Sequence, residues 1–254
     1  MDQLAAKQFG ITEQQAAAYI MEGRVWMGFV PADKPGTTVK EDTVLTLKEK
    51  AKKYASRSGY KLEKALDCFS LDVTGLHVCD IGASNGGFTD CLLKRNAKKV
   101  YAVDSGSGQL DPDLVADERV VNIENYNARN LSKEDLTELC DIAVTDVSFI
   151  SQTLIIPAVI KVLKKNGIYI SLIKPQFECG KSAIGKGGIV KDKKIMADCI
   201  TKVITCALQN GLGCKGVIRS PIDGGDGNAE FLMYCVLGED SCIDEKTVKE
   251  VVGI

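Results

Sequence analysis

From about residue 59 onward, short apolar runs rich in β-branched residues alternate with segments of helical spacing, and this alternation leaves few folds open to the chain. Strand-like runs cover 76–80, 99–104, 120–124, 141–145, 168–173, 215–219 and 230–237. Helical segments fall at 87–94, 150–163 and 193–209. Such a sequence forms a parallel sheet with helices packed on both faces. The last two runs are separated only by 220–229, too short for a parallel crossover, so they pair antiparallel. The expectation is an α/β, doubly wound open sheet, parallel except for its last strand.

Residues 1–47 read differently, as a small α+β module. Thr12 caps a helix running to about residue 22, with Gln15 at the capping-box position. Strands follow near 24–27 and 43–47, joined through a turn at 33–36. Residues 48–58 form a basic linker and 59–254 the second domain. The formal net charge is only −2, so total charge does not mark a polyanion binder. Its distribution does: Lys48, Lys50, Lys52, Lys53, Arg57, Lys61 and Lys64 form one cluster, and Lys181, Lys186, Lys191, Lys193 and Lys194 a second. Arg24, Lys52, Lys53, Arg57, Lys181 and Lys186 are the candidate contacts to a polyanion; solvated loops would carry the same charges.

Ten cysteines occur without a C-x-x-C pair and beside a single histidine, His77. Reduced, buried thiols fit this spacing, and no metal site is expected. The N-terminal residues lack the apolar core of a signal peptide. The longest apolar stretch, 153–163, contains Pro157 and Lys161 and is too short to span a bilayer. A cytoplasmic protein that does not enter membranes is the expectation.

Asp80, Gly82, Ala83, Ser84, Gly86, Gly87 and Phe88 follow the first long strand and open the next helix. Glycines there let the backbone turn sharply and approach a ligand. The spacing G-x-x-x-G-G is not the dinucleotide fingerprint, and Asp80 would repel a pyrophosphate. A carboxylate at that strand end suits the methionine amino group of S-adenosylmethionine instead. Asp104, ending the second strand, suits ribose hydroxyls, and Asn127, after the third, an adenine edge. A P-loop is excluded, because Gly180-Lys181-Ser182 is preceded by Pro175 where glycine is required.

Lys61, Asp146, Lys174 and Glu230 stand at strand or helix ends in apolar settings. In an open α/β sheet the carboxyl ends of parallel strands form the ligand crevice. An antiparallel last strand begins at that same rim, so Glu230 joins the others. A ribose hydroxyl is a poor nucleophile until its proton has a destination, and a neutral lysine amine supplies one. Poising a lysine near neutrality asks for a shift of roughly 3 units, about 4 kcal/mol, which burial and a second ammonium promote. Lys174 is the expected base or steering group, Asp146 its positioner, with Lys61 and Glu230 completing the set; ordinary rim ion pairs are the competing reading.

The runs 54–62 (YASRSGYKL), 80–90 (DIGASNGGFTD), 101–104 (YAVD), 145–151 (TDVSFIS), 173–178 (IKPQFE) and 227–231 (GNAEF) together resemble the TlyA-type ribosomal RNA methyltransferases, FtsJ-like proteins often labelled hemolysins. The resemblance runs through nearly the whole chain. It implies a Rossmann-like methyltransferase sheet, S-adenosylmethionine as cofactor and a Lys-Asp-Lys-Glu tetrad falling on Lys61, Asp146, Lys174 and Glu230. It also implies 2′-O-methylation of cytidine in ribosomal RNA or a ribosomal subunit. Residues 1–47 resemble a small RNA-binding module, with Trp26-Met27-Gly28 where Val-Asn-Gly is usual. The rivals are a membrane-active hemolysin, a non-catalytic RNA-binding or ribosome-assembly protein, and an NAD-linked oxidoreductase. The glycine- and lysine-rich loop 178–192 is expected to be mobile and to close over substrate.

Overall fold

The computed structural model describes residues 1–21, 24–28, 30–32, 34–48, 53–180, 183–225 and 227–254, without the side chain of Lys186. The chain divides into two compact units, Met1–Lys53 and Tyr54–Ile254.

In the first unit, helices α1 (Asp2–Phe9) and α2 (Glu13–Met21) pack with a three-stranded antiparallel sheet of β1 (Val25–Met27), β2 (Val30–Pro31) and β3 (Leu45–Leu47), in the order β2-β1-β3. The capping box at Thr12 is formed: the Thr12 N–H donates to Gln15 Oε1, and the Gln15 N–H donates to Thr12 Oγ1. Helix α1 was not expected, because only Ala5 is fully buried on it and its apolar pattern is weak. A small core of Ala5, Ala16, Ile20, Val25 and Leu45 holds the unit.

The second unit opens with α3 (Ser58–Cys68), then β4 (His77–Ile81), α4 (Gly87–Lys94), β5 (Lys99–Val103), α5 (Pro112–Val115), β6 (Val120–Ile123) and β7 (Cys140–Thr145). It continues through α6 (Ile156–Val162), β8 (Leu163–Ile173), α7 (Pro175–Glu178), α8 (Lys193–Gln209), β9 (Leu212–Arg219), β10 (Phe231–Leu237) and α9 (Glu245–Val252). The seven strands order as β6-β5-β4-β7-β8-β10-β9. Pairings among β4 to β8 are parallel, and β10 is antiparallel to both its neighbours. The final hairpin therefore folds β10 back into the gap between β8 and β9.

Alternate residues of each buried strand feed the two faces. Cys79, Ile81, Tyr101, Val103, Tyr169 and Ile173 meet α6 and α8 on one side. Val78, Val100, Ala102, Ile142, Ile170 and Leu172 meet α3 and α4 on the other. Helix α8 is capped by Asp192, whose side chain accepts from the Lys194 N–H, and buries Met196, Cys199, Ile200, Val203 and Ala207 at helical spacing. All ten cysteines are free thiols, six of them buried.

Several assignments differ from the sequence reading. The segment 150–163 is a 3₁₀ turn at Gln152–Leu154 followed by α6, because Pro157 resets the helix at its first turn. Helix α9, which the sequence reading did not assign, is amphipathic and buries Val248 and Val252 on one face. The linker drawn through 48–58 ends earlier: Tyr54 is buried in the core of the second unit, and the Ala55 N–H donates to Asp90 Oδ2 (2.8 Å). Gly59 permits this, since a Cβ there would lie 2.4 Å from the Tyr54 ring.

Candidate active site

The parallel strands deliver their C-terminal ends to one rim. Gly82 follows β4 with φ +85°, and a Cβ on it would lie 2.6 Å from the Asp146 carbonyl oxygen, so only glycine lets the loop turn against the end of β7. The Gly82 N–H donates to the Val103 carbonyl, and the Asp146 N–H to the Ile81 carbonyl, tying the ends of β4, β5 and β7 together.

A cavity of about 340 Å³ opens on this rim, lined by Gly82, Ser84, Asp104, Tyr126, Asn127 and Asp146 among others. Asp104 accepts from the Ser84 N–H with one oxygen and from the Gly106 N–H with the other, each at 2.8 Å. Its carboxylate is thereby aimed, with lone pairs left for hydroxyl donors. Asn127 caps the 3₁₀ turn Ala128–Asn130 with its carbonyl oxygen. Only its NH₂ group remains to meet an adenine.

Asp80, Gly86, Gly87 and Phe88 line neither this cavity nor its neighbour. Asp80, expected to meet a ligand ammonium, lies fully buried beneath the loop. Its Oδ2 accepts from Thr89 Oγ1 (2.7 Å), and its Oδ1 has no hydrogen-bond partner among the described residues. A Cβ on Gly86 would strike Leu114, and one on Gly87 the hydroxyls of Ser56 and Ser58. These glycines serve close packing of the loop and α4, and Phe88 is a core residue.

Burial pushes the Asp80 carboxyl up to about 7, with the Thr89 hydrogen bond pulling the other way. The native state then holds a proton that the unfolded chain releases near ~3.9, so this group's contribution falls as pH rises from about 4 through 7. Asp80→Asn, an isostere of the protonated form, should flatten that dependence. It should raise stability above pH 7 by a few kcal/mol, at most about 4. Thermal midpoints of both proteins between pH 5 and 8 check it, and parallel curves would refute the assignment.

A second cavity, of about 300 Å³, shares Gly82, Ser84, Asp146, Ser148 and Phe149 with the first. Here the four residues singled out in the sequence converge as two ion pairs. Lys61 Nζ lies 2.5 Å from Glu230 Oε2, and Lys174 Nζ lies 2.7 Å from Asp146 Oδ1. Lys174 also donates to Ser148 Oγ (2.9 Å). Lys61 comes from the first turn of α3, Asp146 follows β7 and Lys174 follows β8. Glu230 precedes β10, whose Phe231 is in register with Ile173, so it faces the end of β8. Lys61, Lys174 and Glu230 are buried; burial pushes the Glu230 carboxyl up while Lys61 pulls it down.

Among the lining residues that sequence reasoning missed are Ser148, Phe149, Gln176 and Phe177. Phe149 has φ +63° and is 91% exposed, its ring 5.1 Å from that of Phe177. Non-glycine residues in that region cluster at functional sites. A buried brace beneath the site was missed as well. Gln152 donates its side-chain NH₂ to the Leu172 carbonyl and accepts from Thr145 Oγ1 and the Tyr169 hydroxyl. Glu178 accepts from the Gln152 N–H (2.7 Å) and from Ser151 Oγ (2.5 Å).

Among the candidate RNA contacts, Arg24 lies over the Tyr19 ring, 4.0 Å from its centroid, and donates Nε to the Lys48 carbonyl. Lys53 and Arg57 are exposed. Lys186 lies in the 3₁₀ turn Lys186–Gly188, while Lys52 and Lys181 are outside the described residues. The loop 178–192, expected to be mobile, is pinned near its end: the Val190 N–H donates to Asn228 Oδ1 (2.9 Å), and Asn228 Nδ2 to the Gly188 carbonyl (3.0 Å).

Comparison with known proteins agrees with this geometry. A 16S/23S rRNA (cytidine-2′-O)-methyltransferase TlyA of Mycobacterium tuberculosis is 37% identical over 98% of this chain and 94% of its own length. Hemolysin A of Brachyspira hyodysenteriae is 42% identical over 90% of this chain and 96% of its own. A solved structure from Streptococcus thermophilus, described as a hemolysin, superposes with a TM-score of 0.77 at 43% identity, covering 99% of this chain and 93% of that one. Aeropyrum pernix fibrillarin with bound S-adenosyl-L-methionine shares the fold at 17% identity and a TM-score of 0.51, covering 80% of this chain and 85% of that one. The family model described as FtsJ-like methyltransferase matches residues 54–236, from the buried Tyr54 to the end of the inserted strand, and the chain belongs to that family.

Proposed function

We propose that the chain transfers a methyl group from S-adenosylmethionine to the 2′-hydroxyl of a cytidine in ribosomal RNA. One observation carries the reading: two lysines and two carboxylates meet in a cavity that shares a wall with the cavity formed by Gly82, Ser84, Asp104 and Asn127. The donor set of the first cavity fits the cofactor, with Asp104 for the ribose diol, the Asn127 NH₂ for the adenine and Asp146 at the junction for the positive sulfonium. When bound, S-adenosylmethionine supplies an electrophilic methyl group.

The chain's residues supply alignment and a proton path. Asp146 stands in both cavities and holds Lys174 beside the acceptor. As the hydroxyl oxygen bonds to the methyl carbon, its proton must leave. Lys174, when its amine carries a free lone pair, takes that proton, and Asp146 and Ser148 hold the resulting ammonium. Lys61, fixed by Glu230, places a second positive charge against the oxygen as negative charge develops there. Fixing both reactants at a shared wall lowers the entropic part of the barrier. A base still stacked in a duplex cannot bring its ribose into so narrow a cavity, so the target nucleotide is unpaired or flipped. The exposed Phe149 ring at the mouth offers it a stacking surface.

The substrate reading places the reaction in the cytoplasm, on ribosomal RNA, with Arg24, Lys53 and Arg57 among the phosphate contacts. The hemolysin name of one relative favours a membrane-active alternative, but no helix among the described residues is long and apolar enough to cross a membrane. Incubating unmodified ribosomal RNA with the protein and S-adenosylmethionine, then digesting to nucleosides for mass spectrometry, should yield 2′-O-methylcytidine. Methyl groups found only on bases would refute the ribose reading.

A further inference from the structure

The acceptor cavity contains one polar atom whose chemistry the methyl transfer does not use. Gln176 lines that cavity, and its side-chain Oε1 is buried with no hydrogen-bond partner among the described residues. A buried acceptor without a donor costs free energy, and a ligand that brings a donor recovers it. Along the chain Gln176 stands between Lys174, ion-paired with Asp146 in that cavity, and Phe177, whose ring lies 5.1 Å from that of Phe149. A nucleotide whose ribose sits at the two ion pairs therefore carries its base, one glycosidic bond away, to the level of this carboxamide.

The donor is found by elimination. In a polynucleotide, phosphate, ring and ester oxygens only accept hydrogen bonds. The target's 2′-hydroxyl donates, but it is committed to Lys174 and to the reaction. Within the target nucleotide the remaining donors belong to the base. In cytosine the donor is the exocyclic 4-amine, flanked by N3, which only accepts. A carboxamide matches that pair of groups, with oxygen to the amine and NH₂ to N3. Uracil inverts both groups, setting its O4 against Oε1 and its N3–H against the NH₂.

We infer that Gln176 is a specificity-determining residue that reads the amino edge of the target cytosine. This inference rests on the ribosomal RNA reading above. The geometry accounts for a preference that the ribose-directed residues cannot produce, since every ribonucleotide presents the same hydroxyl to Lys174 and Asp146.

The test uses the full chain and ribosomal RNA transcribed in vitro, with cytidine or uridine at the position the wild-type protein methylates. Gln176→Met keeps side-chain length and removes the carboxamide; Gln176→Glu keeps an acceptor. For Gln176→Met, kcat/KM on the cytidine RNA should fall roughly 10-fold or more, and the cytidine-to-uridine ratio should fall by a similar factor. Gln176→Glu, which keeps an acceptor for the amine but has no NH₂ for N3 and accepts equally from the uracil N3–H, should lose the preference as well. The dissociation constant for S-adenosylmethionine should stay within about 2-fold in both, which separates base reading from a disturbed fold. A Gln176→Met protein that methylates with an unchanged cytidine-to-uridine ratio overturns this inference alone. A wild-type protein that leaves every ribose of the RNA unmethylated overturns the ribosomal RNA reading, and this inference with it.

Discussion

Lys174→Ala should lower single-turnover methylation of ribosomal RNA roughly a thousandfold while leaving S-adenosylmethionine affinity within about 3-fold. The asymmetry follows from where the side chain lies. Lys174 lines the acceptor cavity and is absent from the lining of the cofactor cavity, but it holds Asp146, which stands in both. Removing it takes away the proton's destination and the brace on Asp146 together. Asp146 then loses the partner 2.7 Å from its Oδ1, which accounts for the small change allowed in cofactor binding. Rapid-mix assays at saturating RNA, beside calorimetric titration with cofactor, separate the two effects. An equal loss in both would move Lys174 from the chemistry to the cofactor wall.

Glu178→Ala should be the most destabilising single change near the site, at about 3 kcal/mol. Glu178 is buried, and both its oxygens are engaged, by the Gln152 N–H and by Ser151 Oγ. Truncation strands a buried N–H, which costs about 1–3 kcal/mol, and breaks a charge-assisted hydrogen bond of about 1.5–3 kcal/mol. Lys202, whose side chain is half exposed, re-solvates and adds little. For a domain of this size the thermal midpoint should drop by roughly 6–12 °C. Gln152 would also be freed from its hold on Leu172, one residue before the end of β8, so Lys174 should lose alignment. Calorimetric melting with and without cofactor measures the first effect, and a midpoint within about 2 °C of the wild type would show that the brace contributes nothing.

The strand and helix pattern was legible because buried parallel strands are nearly all apolar, whatever lies around them. That is why 99–104 and 193–209 were placed within a residue of the observed β5 and α8. The short 220–229 connection likewise left β9 and β10 only one way to pair. Lys61, Asp146, Lys174 and Glu230 stood out because charged groups at strand ends in apolar contexts need a partner or a purpose. Asp80 looked the same by that rule, yet the fold buried it below the loop rather than in the cavity wall.

Composition and periodicity thus settled the strands of the large sheet, helices α4 and α8 and the four charged residues at the rim, because those follow from solvent exclusion acting on neighbours in the chain. The tertiary structure alone decided that Lys61 pairs with Glu230 and Lys174 with Asp146, that Asp146 stands between two cavities, that Phe149 points into solvent and that the Gln176 oxygen is left without a donor among the described residues. Those facts depend on distances of a few ångströms between residues as much as 169 positions apart, set by β10 folding back beside β8. Local pattern does not encode a distance of that kind, which arises only when the sheet closes and the loops at its rim pack against one another.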